Sequence, residues 1–206
     1  MTFSVMQPDE TEKCIDIAVN AFMDYEYFSI YYKHSWSRRQ FLKSMLTTEF
    51  RINADREMFL TAKDGEQIVA VVILCDPSYQ KPTDQEYLKG GFWKSLLYGG
   101  YKNVDAWNTM ENCAIQPCTE LKNSWYLSML VVDTSIEGKG IGSGMLQECI
   151  IPYVKKSNGE TLCLFTNSQI NRKFYQKNGF VEFDQREFAY HGKTIGSWSY
   201  VSQLFQ

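Results

Sequence analysis

Residues 132–143 of this 206-residue chain read Val-Asp-Thr-Ser-Ile-Glu-Gly-Lys-Gly-Ile-Gly-Ser. An apolar run, Trp125–Val132, precedes the glycines. An amphipathic pattern follows from Gly142, with apolar residues at 145, 146, 149, 150, 153 and 154. This order reads as strand, glycine turn, helix. The first turn of a helix leaves backbone N–H groups unpaired and carries partial positive charge. Glycines let the backbone approach a ligand closely. The chemistry on offer is anion binding, and a pyrophosphate suits it best. A Walker A loop is excluded, because G-x-x-x-x-G-K-[ST] does not occur. A dinucleotide fingerprint needs a third glycine where Ser143 or Met145 stands, and only one strand-helix unit follows. A purely structural glycine turn is the plain alternative.

A second group lies downstream. Asn171 and Tyr175 are four residues apart, on one face of a helix spanning 168–178 that Gly179 closes. A phenol held there can serve as a positioned acid; otherwise it is an aromatic half buried on an amphipathic helix. Upstream, Tyr25, Tyr27, Phe28, Tyr31 and Tyr32 crowd one segment. They read as core or as a wall for a cationic substrate, with Tyr27, Phe28 and Tyr31 the expected substrate contacts. Glu111 and Glu120 precede the apolar strand. Each reads as a general base or as a solvated surface acid.

These residues resemble the GNAT superfamily of N-acetyltransferases, whose acetyl-CoA motif is Q/R-x-x-G-x-G/A after a strand ending in Val-x-Pro. Here Val132-Asp-Thr134 precedes Glu137-Gly-Lys-Gly140-Ile-Gly142 without a gap. Thr134 departs from Pro, and Glu137 from Gln or Arg. Asn167-Ser-Gln-Ile-Asn171-Arg-Lys-Phe174-Tyr175-Gln-Lys-Asn-Gly179-Phe180 is similar to the family's second segment, N-x-x-x-(F/L)-Y-x-x-x-G-F. The resemblance implies acetyl-CoA as co-substrate and no metal. It puts the pyrophosphate on the backbone of Glu137, Gly138, Lys139, Gly140, Ile141, Gly142 and Ser143, with the Glu137 carboxylate slightly unfavourable. It puts pantetheine along Leu130, Val131 and Val132, one of whose N–H groups polarises the acetyl carbonyl. Asn167, Asn171 and Phe174 join the cofactor contacts, and Tyr175 becomes the catalytic acid. The long segment before Trp125-Tyr-Leu is similar to the subgroup around puromycin N-acetyltransferase. The expected reaction is direct acetyl transfer to a primary amine of a small molecule. Two other readings fit the same motifs: a non-catalytic acyl-CoA sensor, and a protein acetyltransferase acting on an N-terminus or lysine.

The elements that must position these groups follow from periodicity. A strand at Phe3–Met6 leads to a helix opened by Pro8-Asp9-Glu10 and ending near Phe22. A second helix, capped by Ser35 or Ser37, runs to about Phe50. Glu57–Ala62 and Gln67–Leu74 form a hairpin around Lys63-Asp-Gly-Glu66. Residues 76–124 are an insertion expected to be helical, weakened at Gly90-Gly91. Pro152 should kink or end its helix. Thr161–Thr166 is a strand, and Phe180–Tyr190 with Thr194–Leu204 makes a last hairpin. The fold class is α/β, or α+β under a stricter label: a single domain over 1–206 with a mixed, mostly antiparallel sheet and helices on both faces.

Composition agrees with a globular enzyme. Net charge is −3, without the basic field of a nucleic-acid binder. Two histidines, His34 and His191, give no zinc pattern. Six cysteines without a C-x-x-C pair read as reduced thiols. No apolar run approaches the ~20 residues of a membrane span, and no signal peptide is visible. The expectation is a cytoplasmic monomer or homodimer that meets neither membrane nor nucleic acid.

Overall fold

Seven strands form one sheet in the order β1-β2-β3-β4-β5-β7-β6. In this computed structural model, residues 1–136 and 138–205 are described. The strands are β1 (Thr2–Val5), β2 (Met58–Asp64), β3 (Gln67–Cys75), β4 (Ser124–Val132), β5 (Thr161–Thr166), β6 (Val181–Tyr190) and β7 (Lys193–Gln203). Every neighbouring pair is antiparallel except β4 and β5. Those two run parallel from Ser124↔Thr161 to Tyr126↔Cys163, and there the pairing ends. The sheet is therefore split along half of β4.

The helices divide between the two faces. On one lie α1 (Thr11–Phe22), α2 (Glu26–Ser29), α3 (Ser35–Ile52) and α6 (Tyr101–Thr119), packed over Phe59, Val71, Ile73, Met129 and Val131. On the other lie α7 (Ile141–Gly144), α8 (Ile151–Lys156) and α9 (Gln169–Lys177), over Leu60, Val72, Leu74, Leu127, Leu162 and Leu164. This two-sided cover explains why β3 carries apolar residues at successive positions rather than alternating ones.

Residues 76–124 hold three helices: α4 (Asp84–Tyr87), α5 (Trp93–Gly99) and α6. A π turn at Leu88–Phe92 joins the first two, with Gly91 at φ 106°. Gly90 is more than a weak point in a helix. A Cβ there would stand 2.5 Å from Ile52 Cγ2 and 3.1 Å from Thr48 Cγ2. Gly90→Ala is expected to destabilise the fold by about 1–3 kcal/mol through overpacking against α3. Urea denaturation checks this; an unchanged midpoint refutes it.

Two local readings differ from the structure. Neither Ser35 nor Ser37 caps α3. His34 holds the cap position, Ser35 begins the helix, and Ser37 Oγ instead donates to the His34 carbonyl at 3.0 Å. Pro152 neither ends its helix at once nor breaks it. A π turn over Met145–Ile150 precedes it, which widens the helix where the proline ring would meet the Glu148 carbonyl. The helix then ends at Lys156. Pro117 also lies inside a helix, and its missing N–H leaves the Cys113 carbonyl free. Arg186 takes that carbonyl at 2.7 Å, tying β6 to α6.

Candidate active site

β4 ends at Val132, where the Asp133 N–H donates to the Val69 carbonyl at 2.9 Å. The Asp133 carboxylate accepts from the Ser135 N–H at 3.0 Å and hydroxyl at 2.8 Å, which hold it below the usual carboxylate range. The chain is thus turned without a proline at position 134. Gly138 and Gly140 have φ of 81° and 79°, left-handed values that favour glycine, and neither would meet any atom with a Cβ. Gly140 is the helix cap, and the first intrahelical bond runs from the Gly144 N–H to the Gly140 carbonyl. The amides of Ile141, Gly142 and Ser143 thus occupy the unpaired first turn of a helix that continues to Lys156. Gly142 serves a different purpose. Its Cβ would stand 3.2 Å from Phe174 Cζ, so it admits the α9 aromatic ring close to the loop. Asn178 Nδ2 donates to Ser143 Oγ at 3.2 Å, joining the same two elements. Lys139 is exposed, and Glu137 lies outside the described residues.

The split in the sheet begins beside this loop. β4 carries a bulge: Leu74 pairs with Leu127 and Ile73 with Met129, leaving Ser128 as the extra, exposed residue. From Leu127 onward the edge of β4 that faced β5 has no strand partner. Its amides are the ones available to an extended ligand lying in the split. The side chain of Val131 is buried in the core, so of the three expected pantetheine contacts it has only backbone to offer; Leu130 and Val132 are half-buried.

α9 is capped by Ser168, whose Oγ accepts from the Asn171 N–H at 3.4 Å. Tyr175 is 8% exposed and packs edge-on against Phe174 and Phe180. Burial pushes its phenol up, and the nearby Tyr25 adds to this. Tyr175 is therefore a neutral acid rather than a base at ordinary pH. Tyr25 is a hub. Its hydroxyl accepts the Asn167 N–H at 2.9 Å, bonds Thr166 Oγ1 at 3.2 Å, and lies within reach of the Asn171 side chain. Asn167, expected among the cofactor contacts, is 4% exposed and donates Nδ2 to the Gly196 carbonyl at 2.7 Å. Its side chain ties β5 to β7 instead.

Glu111 comes from the same stripe of α6 as the buried Trp107, Ala114 and Cys118. It keeps some solvent contact, yet protein surrounds it closely. Burial alone pushes its carboxyl up to about 7. Its charge adds to the upward push on Tyr25 and Tyr126, and Tyr126 is the last β4 residue paired with β5. Glu120 belongs elsewhere: it is exposed at the end of α6 and accepts from Gln116 Nε2 at 2.8 Å.

The expected substrate aromatics are corrected too. Phe28 is 4% exposed and stacks on Trp107 at 6.1 Å; Tyr31, 5% exposed, donates to Met110 Sδ at 3.3 Å. Both are core, because α6 covers the segment that the sequence alone leaves facing open space. Tyr27 is also buried, but its hydroxyl has no partner and its ring lies 6.0 Å from Tyr25 and 6.1 Å from Phe165. Tyr126 was not among the expected site residues, and Tyr25 was read only as a member of the aromatic cluster. Tyr126 is a polar-tipped ring inside an otherwise apolar strand, and that contrast is the signal that marks it. A cavity of about 750 Å³ lies apart, lined by Tyr32, Lys33, His34, Tyr98, Tyr190 and His191 among others.

Residues 106–182 match the model of the acetyltransferase (GNAT) domain family. That stretch is similar to a GNAT domain. The match takes in α6, β4, the glycine loop, β5 and α9. The GNAT fold extends over the whole chain in comparisons with solved structures. An agmatine N-acetyltransferase is similar at TM-score 0.64 and 12% identity, over 98% of both chains. A protein of Corynebacterium glutamicum titled histone acetyltransferase HPA2 and related acetyltransferase is similar at 0.62 and 17%, over 96% of this chain and 94% of that one. The PaiA N-acetyltransferase of Thermoplasma acidophilum, in complex with coenzyme A, is similar at 0.57 and 16%, over 98% and 99%. No curated protein sequence matches the chain. Among the described residues, no group of three or more His, Cys, Asp or Glu is placed to hold a metal. No described helix is long and apolar enough to cross a membrane.

Proposed function

We infer that this chain is an acetyl-CoA-dependent N-acetyltransferase that moves the acetyl group directly to the primary amine of a small molecule. The observation that carries this reading is the glycine loop capping α7 beside the point where β4 leaves β5, with Phe174 of α9 against Gly142 and the buried Tyr175 next to it. The glycine loop and the first turn of α7 would hold the pyrophosphate through backbone N–H groups. Pantetheine would lie in the split along Leu130–Val132. An amide on the unpaired β4 edge would polarise the acetyl carbonyl, a contribution of roughly 3 kcal/mol where such a donor meets developing oxyanion charge.

Glu111 takes the proton of the acceptor ammonium, because a base titrating near neutrality is best matched to that step. The free amine attacks the thioester carbon. The C–S bond breaks, Tyr175 gives its proton to the departing thiolate, and the second proton shed by the acylated nitrogen restores the phenol. The covering helices α5 and α6 support a small acceptor over a polypeptide. A neighbouring fold that bears the name agmatine N-acetyltransferase is consistent with an amine acceptor. Acetyl-CoA as co-substrate, no resident metal, and a cytoplasmic monomer or homodimer without nucleic-acid or membrane partners complete the reading.

The test is thiol release from acetyl-CoA across amino acids, aliphatic amines, polyamines, aminoglycosides and peptides, with calorimetry for acetyl-CoA itself. Binding together with turnover of a small amine is expected. Absence of acetyl-CoA binding would sink the reading, and binding without turnover on the whole panel would make the chain a sensor.

A further inference from the structure

The N-terminus of α6 borders the cavity of about 750 Å³, where Gly99, Gly100 and Asn103 line it. Gly100 is the cap position of this 19-residue helix and offers its first turn no side chain. The first intrahelical bond runs from the Val104 N–H to the Gly100 carbonyl at 3.1 Å. The amides of Tyr101, Lys102 and Asn103 therefore lack intrahelical acceptors. No acidic residue occupies this turn. A helix end left in this way favours an anion.

An unpaired phenol lies in the wall of the same cavity. Tyr32 is 2% exposed, yet its hydroxyl has no hydrogen-bond partner. Gly99 brings it to the helix end: a Cβ there would stand 2.9 Å from Tyr32 Cε1, the ring carbon next to the one that bears the hydroxyl. The neighbouring phenols are committed elsewhere, Tyr31 to Met110 Sδ and Tyr190 to Asn103 Oδ1 at 2.7 Å. Burial, then Tyr190 and Tyr31, keep the Tyr32 phenol protonated, so it is a donor. A buried tyrosine hydroxyl is normally paired, and this one marks a missing acceptor.

The rest of the lining agrees in sign. It includes Lys33 and both histidines of the chain, His34 and His191, and no Asp or Glu, although the chain as a whole carries −3. No ion pair among the described residues engages these three side chains. His191 holds φ 47° ahead of Gly192 at φ 76°, in a two-residue turn where asparagine is the usual choice. Its ring packs edge-on against Tyr190 at 4.3 Å, and the turn thereby brings an imidazole to the cavity. Tyr98, Tyr190 and Leu97 supply apolar wall. A volume of this size suits a small organic molecule rather than a bare inorganic ion.

We propose that this cavity is a binding site for a small aromatic carboxylate, whose anionic end meets the N-terminus of α6, Tyr32, Lys33 and His191 and whose ring lies among Tyr98, Tyr190 and Leu97. The site is separate from acetyl transfer. Tyr25, Glu111, Tyr126, Tyr175 and the glycine loop contribute nothing to its lining.

The test is calorimetry and thermal shift with benzoate, phenylacetate and indole-3-acetate. 2-Phenylethanol is the uncharged control, and inorganic phosphate is the anion without a ring. At least one of the three acids should raise the Tm and bind about tenfold or more tightly than either control, as a charge-assisted contact implies. Lys33 and His191 are exposed, so Lys33→Gln and His191→Asn should fold normally, asparagine being suited to the left-handed turn. Each should weaken the acid by about threefold or more. Tyr32→Phe should weaken it by about tenfold and leave the Tm of the free protein unchanged or higher, because the hydroxyl has no partner to lose. The proposal is overturned if none of the acids binds, if 2-phenylethanol or phosphate binds as tightly, or if all three variants bind the acid unchanged. Displacement of the acid by acetyl-CoA would put it in the transfer site and overturns the proposal as well.

Discussion

Glu111→Gln is expected to lower kcat/KM for amine acetylation by about 10²–10³-fold at pH 7 while leaving the protein more stable. The two effects share one cause. The carboxyl is pushed up to about 7 by burial, so its charged form is the disfavoured one in the folded state. Catalysis needs that form to accept a proton. In the unsubstituted enzyme kcat/KM should therefore rise with pH to about 7 and level off above it. The variant should lose this limb. For stability the sign is opposite. A folded pKa above the unfolded value of 4.5 contributes stability that is complete below pH 4.5 and is lost as pH rises through about 7. Glutamine removes the cost of a buried charge, so the variant should gain on the order of 1–2 kcal/mol relative to the unsubstituted protein at pH 8 and little at pH 4. Rate profiles and urea denaturation at both pH values measure this. A variant that keeps its activity, or that loses activity and stability together, refutes Glu111 as the base.

Tyr175→Phe is expected to lower kcat by about 10²-fold, with acetyl-CoA affinity and amine KM nearly unchanged. The ring packs against Phe174 and Phe180, and phenylalanine preserves those contacts. Only the proton is removed. If Tyr175 were merely a buried aromatic, Phe would be neutral in every kinetic constant. The phenol is raised by burial and by Tyr25, so it stays protonated across the working range and no alkaline limb should arise from it. Single-turnover kinetics separates this chemical step from product release. An unchanged single-turnover rate would remove Tyr175 from the mechanism.

How much of this was legible beforehand depends on how local each requirement is. The glycine loop was visible because left-handed φ at Gly138 and Gly140 is a demand on single residues. The pairing of Asn171 with Tyr175 was visible because helix periodicity acts over four residues. Gly142 was read as part of the anion loop, whereas its contact with Phe174 spans 32 positions and shows only in the fold. Asn167 matched a motif position, yet its side chain is committed to Gly196 on another strand.

The acceptor side shows the same limit more sharply. Tyr27, Phe28 and Tyr31 formed an aromatic cluster that read equally as core or as wall. The packing of α6 decided, burying Phe28 against Trp107 and Tyr31 against Met110. Glu111 and Glu120 were indistinguishable as acids ahead of a strand. Their separation by nine positions, two and a half turns of α6, leaves one half-buried and the other on the surface.

The chain by itself determined the anion loop, the helix that presents Tyr175, and the α/β order of elements, since backbone sterics and short-range periodicity act within a few residues. Tertiary structure alone decided where the sheet splits and which of Glu111 and Glu120 is packed into the protein. Those are outcomes of strand register and helix packing between segments 40 to 60 residues apart. Pairing of that kind is set by which surfaces bury each other, and no stretch of sequence read alone contains it.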